Sequence, residues 1–213
     1  MIVYWLLLLP TALFAYLVGS LDTLVLASNF VFHRNLRRLG DSRVWLSNFY
    51  RIYGIPGFVK LLIVELVRDA LPILLGSVLL GIRGHADAGR AFAGFVLVLA
   101  RLWPALYGFR GSDASIAFAV AAFAVEPSVG VAAAIIILAV IVVTRYISLG
   151  TTVGAAASLL VAVLVIDDSL LLRLVLMTAG LVLIQHIPSL VRLFRGTEPR
   201  LSFEKDITYK LDE

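Results

Sequence analysis

From residue 2 to residue 18 the chain reads IVYWLLLLPTALFAYLV, without one charged side chain. Further apolar stretches follow at about 56–81, 91–107, 114–125, 129–143, 150–166 and 170–187. Roughly 20 apolar residues in a helix span the hydrocarbon core of a bilayer. In hydrocarbon every backbone N–H and C=O must be satisfied within the segment or in a closed barrel, so successive apolar runs of this length mean helices. Composition agrees: 61% of the 213 residues are hydrophobic and only 15% charged, whereas soluble domains are nearer half apolar and a quarter charged. The expectation is an all-α integral membrane protein. Its seven transmembrane helices form a bundle over residues 1–187, and a polar cytoplasmic tail follows over 188–213, leaving no room for a soluble domain. The stretch at 114–125 is short for a crossing, so tilt or local thinning of the bilayer is expected there.

Charge orients the bundle. No Lys or Arg precedes Arg34, so the first stretch lacks the basic n-region of a secretory signal and reads as a retained span with its N-terminus outside. The inner segments are then 33–55, 108–113, 144–149 and the tail. They collect Arg34, Arg37, Arg38, Arg43, Arg51, Arg110, Arg145, Arg192, Arg195, Arg200, Lys205 and Lys210, while the outer turns hold Arg83 and Arg90 with Asp87, Glu126, Asp167 and Asp168. Basic residues on the cytoplasmic side are the general rule for membrane proteins. The isoelectric point near 9.6 therefore points to anionic lipid headgroups rather than nucleic acid. Cysteine is absent, which excludes disulfides, thiolate metal sites and thiol catalysis. His33, His85 and His186 are too scattered for a metal site, and no metal or cofactor is expected.

The polar connections carry the chemistry. Residues 40–51, GDSRVWLSNFYR, bring together Asp41, Ser42, Arg43, Ser47, Asn48 and Arg51. Guanidinium forks and small donors match phosphate oxygens; the plainer reading is a basic loop that only sets topology. With the orientation above, this loop, GFRGSD (108–113), TRYISLGTT (144–152) and the segment 186–198 all meet one membrane face. Convergent polar groups at the mouth of a bundle are the default site. Inside the spans, Asp22, Lys60, Glu65, Arg68 and Asp69 are costly unless they face a polar interior. Glu65 and Arg68, three apart on one helix face, are expected to neutralise each other.

Taken in order, these fragments resemble the bacterial acyl-phosphate:glycerol-3-phosphate acyltransferases, the PlsY family. Gly19-Ser20 sits where that family ends its first span in Gly-Ser-Ile-Pro. Gly40, Ser47, Asn48 and Arg51 match or nearly match its first loop motif, and Glu65 and Arg68 look like its Asp-x-x-Lys pair. Trp103-Pro104 and Phe109-Arg110-Gly111 fall on the second motif, TRYISL at Thr144–Leu149 matches locally, and His186, Arg192 and Gly196-Thr197-Glu198 resemble the C-terminal signature.

The resemblance implies an enzyme of the bacterial inner membrane that moves a fatty acyl group from acyl phosphate to glycerol 3-phosphate. The product is lysophosphatidic acid, and the substrate phosphate assists proton removal. Carried onto this chain, it makes Ser47, Asn48, Arg51 and His186 the catalytic candidates. Gly40, Asp41, Arg43, Arg110, Gly111, Arg145, Ser148, Thr151 and Ser189 become the substrate-binding ones. The implied partners are the two substrates and anionic membrane lipids, not nucleic acid; the oligomeric state is left open, a monomer included.

The chain also departs from the pattern. Asp41 and Arg43 stand for Ser and Asn, Trp45 for Gly, Arg101 for the His before Trp-Pro, and Ser189 for Asn. Ser112, Asp113 and Ala114 replace Gly-Lys-Gly, turning a cation into a carboxylate. Beside a phosphate that reversal is worth on the order of several kcal/mol at an effective dielectric near 20; Arg43 and Arg101 are the guanidiniums available to offset it. The competing readings are a catalytically impaired paralogue acting as a binding or partner subunit, and a transporter with Asp22, Glu65, Arg68 and Asp69 along its path. The paired half-helix breaks of transporters are not seen.

Overall fold

The structure, a computed structural model, describes residues 2–23, 46–109, 111–198 and 200, with side chains from residue 6 and, in the second segment, from residue 54. Among them all regular structure is helical. The helices are α1 (Ile2–Ser20), α2 (Leu46–Gly81), α3 (Ala86–Leu102), α4 (Ser115–Val125), α5 (Pro127–Thr144), α6 (Ile147–Val165) and α7 (Ser169–Phe194), with a short 3₁₀ turn at Ala105–Tyr107.

Local chemistry accounts for the ends. Glu126 caps α5, its carboxylate accepting from Ser128 N at 3.3 Å, and Pro127 takes the first helical position, where its missing N–H costs nothing. Asp168 caps α7, accepting from the N–H groups of Leu170 and Leu171 at 2.8 and 3.0 Å. Two helices run beyond the apolar spans expected for them. α2 begins at Leu46 rather than near 56 and breaks at Gly54, whose φ of 68° and ψ of −169° suit glycine alone. α7 continues through Pro188 to Phe194, so the first part of the expected tail is helical.

α3 is the hub, with α1, α2, α4 and α7 packed around it. Its buried face, Gly89, Ala91, Ala93, Gly94, Leu97, Val98 and Ala100, is made of small residues with two larger apolar ones, and it ends in the buried Arg101. Small residues let backbones approach, which drives helix association in lipid, where no hydrophobic effect separates helix from solvent. At Gly76 a Cβ would lie 2.5 Å from the Gly89 carbonyl oxygen, so α2 and α3 cross there almost backbone to backbone. α5 lies at the periphery, against α4 and α6. Its outer side chains are widely exposed, Leu138 by 62% and Val143 by 83%, which suits contact with acyl chains rather than water. Among the described residues, four helical stretches are long and apolar enough to cross a membrane: Ala86–Tyr107, Pro127–Thr144, Ile147–Val165 and Ser169–Phe194. The protein is thus an all-helical, multi-pass membrane protein. α2 is long enough as well, but Lys60, Glu65, Arg68 and Asp69 interrupt its apolar character.

The turns after α1 and α3 come together at one end of the bundle. Tyr16 Oη donates to the Trp103 carbonyl at 2.8 Å and accepts from Ala105 N at 3.2 Å. The buried arginines Arg68 and Arg101 bond here, to the Leu21 and Asp113 carbonyls.

Candidate active site

Glu65 and Arg101 pair across the α2–α3 interface, both under a tenth exposed. Arg68 takes Asp69 as its carboxylate, with Nε donating at 2.9 Å, and donates through Nη1 to the Leu21 carbonyl at 2.7 Å and to Thr23 Oγ1. The expected Glu65–Arg68 neutralisation is therefore replaced. Each residue finds a nearer partner, Arg68 reaching the end of α1 and Glu65 reaching α3. Asp69 is fully buried, while Lys60 projects to the exposed side. Charges taken this far from water persist only where partners and hydrogen bonds compensate the lost hydration. Among the described residues Glu65 Oε2, Asp69 Oδ2, Arg101 Nη1, Ser20 Oγ and Ser115 Oγ are buried with no hydrogen-bond partner, so this end retains unused polar capacity.

The loop from 111 to 114 is clamped from two sides. Arg101 Nε donates to the Asp113 carbonyl at 3.1 Å. From α7, the Gln185 amide donates to the Ser112 carbonyl at 3.2 Å and accepts from Ala114 N at 3.3 Å. Gly111 lies against the Leu102 carbonyl, where a Cβ has no room. The clamp sets the Asp113 carboxylate beside His186, Oδ2 to Nε2 at 3.7 Å, while Oδ1 accepts from Ser115 N at 2.7 Å. Burial by itself pushes the Asp113 carboxyl up, but His186 and the Ser115 donors outweigh it and hold the group below the usual carboxylate range. On its other side, His186 Nδ1 lies 2.8 Å from the Val182 carbonyl, one turn back.

A second network adjoins the first. The Ser148 hydroxyl donates to Glu198 Oε1 at 2.7 Å, and Arg192 donates from Nε to Glu198 Oε2 and from Nη2 to Ser189 Oγ, both at 2.8 Å. Gly196, at φ 70°, turns the chain after α7 so that Glu198 folds back onto α6. Arg200 donates to Tyr146 Oη at 2.8 Å and lies 5.4 Å from the ring centroid, a cation–π contact.

His186, Ser189 and Ser148 of the expected site lie in these networks, with Gly111 in the clamped loop. Thr151 is buried, but its hydroxyl donates to the Ile147 carbonyl at 2.6 Å, an internal helix bond. Arg145 ends α5 in the left-handed conformation at φ 63° and is exposed. Ser47, Asn48 and Arg51 belong to the segment of α2 before the Gly54 break, described by its backbone alone. Gly40, Asp41, Arg43 and Arg110 lie outside the described residues. Sequence reasoning passed over Gln185 and the coupling of Arg101 to Glu65. A usable signal existed for Arg101, since an arginine inside an apolar span requires a buried partner.

A multi-pass helical bundle with paired charges and a histidine–carboxylate pair gathered at one end defines a membrane protein that handles polar chemistry beside lipid. The sequence profile described as glycerol-3-phosphate acyltransferase matches residues 9–196. The chain belongs to the glycerol-3-phosphate acyltransferase family, a family of enzymes. The glycerol-3-phosphate acyltransferase 2 of Moorella thermoacetica is 31% identical over 198 residues, covering 92% of this chain and 97% of that one. The glycerol-3-phosphate acyltransferase of Thermoanaerobacter sp. strain X514 is 26% identical over 197 residues, again 92% and 97%. The crystal structure of PlsY, an integral membrane glycerol 3-phosphate acyltransferase, in its glycerol 3-phosphate form superposes with a TM-score of 0.77. That match covers 97% of this chain and 99% of PlsY at 22% identity, so the two share a fold.

Proposed function

We propose that this chain moves a fatty acyl group from acyl phosphate to the 1-hydroxyl of glycerol 3-phosphate in the bacterial inner membrane, giving lysophosphatidic acid and phosphate for phospholipid synthesis. Family membership supports the reaction. The observation that carries it onto this chain is the meeting of His186, Ser189, Arg192 and Ser148 at the same end of an otherwise apolar bundle. Acyl phosphate is already activated, so the protein's task is to hold two anions together and stabilise moving charge. The acyl chain lies among apolar helices and the phosphates at the polar end. In this reading Ser47, Asn48 and Arg51, at the start of α2, serve catalysis together with His186, and Gly40, Asp41, Arg43, Arg110, Gly111, Arg145 and Thr151 complete the substrate-binding set. All seven helices cross the membrane, with the N-terminus outside and the polar end cytoplasmic; the positive-inside distribution of arginines supports this.

The test is turnover of purified full-length protein with acyl phosphate and glycerol 3-phosphate, read as phosphate release. Turnover that Arg51→Ala and His186→Ala both abolish upholds the enzyme. The second reading, an impaired paralogue that binds without turning over, is favoured by Asp113, a carboxylate where the resembled motif has Lys. Ligand binding without turnover would establish it.

A further inference from the structure

The last turns of α5 and α7 carry apolar side chains that the bundle leaves uncovered. Val142 and Val143 close α5, and Val191 and Phe194 close α7, Phe194 with 88% of its surface exposed. Such a row is costly beside water and at home beside acyl chains. Directly beyond these turns the chain becomes basic, with Arg145 after α5 and Arg195 and Arg200 after α7, all exposed. Tyr146, between α5 and α6, has the amphipathic ring that settles at headgroup depth.

Among the described residues no carboxylate pairs with Arg145, Arg195 or Arg200. Glu198, which lies between Arg195 and Arg200 in the chain, is buried and spent on Ser148 and Arg192. Arg200 is nevertheless fixed. Its Nε donates to Tyr146 Oη at 2.8 Å, and the guanidinium lies 5.4 Å from the ring centroid. These contacts leave the Nη1 and Nη2 edge of the fork unspent, and that edge is suited to a phosphate. Arg195 comes five residues earlier, at the end of α7, and Gly196 (φ 70°) turns the chain between the two arginines. A cationic shelf thus adjoins an apolar wall, the complement of a lipid with an anionic headgroup.

We propose that Tyr146, Arg195 and Arg200 form a binding site for an anionic bilayer phospholipid. Its phosphate lies on the two guanidiniums and its acyl chains run along the exposed ends of α5 and α7. Arg145 adds its charge from the position next to Tyr146. The occupant is a lipid, because the apolar wall offers nothing to a soluble anion. Binding here is separate from turnover, so it is read whichever way the acyl-transfer test falls.

The experiment titrates full-length protein in neutral detergent with phosphatidylglycerol or phosphatidylcholine and counts the lipid retained by native mass spectrometry. A guanidinium near an anionic headgroup is worth about fivefold in affinity, so two give phosphatidylglycerol an expected preference of about 25-fold. Arg195→Gln and Arg200→Gln are each expected to lose about fivefold of it, and the double variant nearly all. Tyr146→Leu should lose as much as Arg200→Gln, since nothing then holds that guanidinium. Arg83→Gln, which removes an exposed arginine from the turn between α2 and α3, should lose nothing. Equal retention of the two lipids, or a double variant within about twofold of wild type, overturns the site. An Arg83→Gln loss that matches Arg200→Gln also overturns it, as the mark of unspecific charge attraction. Free glycerol 3-phosphate that displaces phosphatidylglycerol at matching concentration overturns it as well, by showing a site for soluble phosphate.

Discussion

Glu65 of α2 and Arg101 of α3 form an ion pair inside the bundle, their side chains 3% and 7% exposed. Because Arg101 also holds the Asp113 carbonyl, this pair ties the α2–α3 interface to the loop that faces His186.

Removing one partner of such a pair strands a buried charge. Glu65→Leu is expected to cost about 3–5 kcal/mol and lower the thermal midpoint in detergent markedly. The double variant Glu65→Leu/Arg101→Met is expected to regain most of that stability, since a packed apolar pair replaces the ions. Turnover should stay low in the double variant, because nothing then holds the Asp113 carbonyl. Thermal unfolding and phosphate release, measured side by side, check both halves.

Gly54→Ala tests the break in α2. A side chain at φ 68° and ψ −169° is strained by about 1–3 kcal/mol, and the chain relieves it by re-aiming residues 46–53. Turnover is expected to fall at least about tenfold, from displaced Ser47, Asn48 and Arg51, while the thermal midpoint moves little. Unchanged turnover would remove that segment from the site.

Glu198 joins the chain after α7 to Ser148 and Arg192. Hydrogen bonds to charged groups are worth about 1.5–3 kcal/mol, so Glu198→Gln is expected to loosen this turn. Limited trypsin digestion should cut faster at Arg195 and Arg200, with Ser148→Ala showing the same trend more weakly.

The carboxyls of Asp168 and Asp113 set an acid limit. At Asp168 the backbone donors Leu171 and Leu170 hold the carboxyl below its usual range, as His186 and Ser115 do at Asp113 against the effect of burial. A carboxyl depressed by folding adds stability that is complete above its unfolded value, about 3.9, and lost as pH falls through the folded one. The thermal midpoint should therefore decline below about pH 4 to 5. Asp168→Asn, which keeps an acceptor but no charge, should flatten part of that decline.

Much of the fold was legible in the chain. The apolar stretches predicted an all-helical membrane protein, and Glu126-Pro127 and Asp168 marked turns between helices. The boundaries of α2 and α7 were not legible, because Gly54 and Pro188 read as stops to local propensity while the structure carries helix past both. His186 and Ser148 were named as site candidates only through a resemblance. Asp113 stood out only as a departure from the resembled motif, since no local feature links it to a histidine far along the chain.

The sequence by itself determined that this protein is helical and lies in a membrane, because hydrocarbon demands backbones satisfied within each segment. Tertiary structure alone decided which charges neutralise which. Glu65 had Arg68 three residues away, a pairing worth only about 0.2–0.5 kcal/mol on an open helix, yet its partner is Arg101 on another helix. Close crossing of α2 and α3 at Gly76 and Gly89 buries that interface, and a buried charge takes the partner that packing presents.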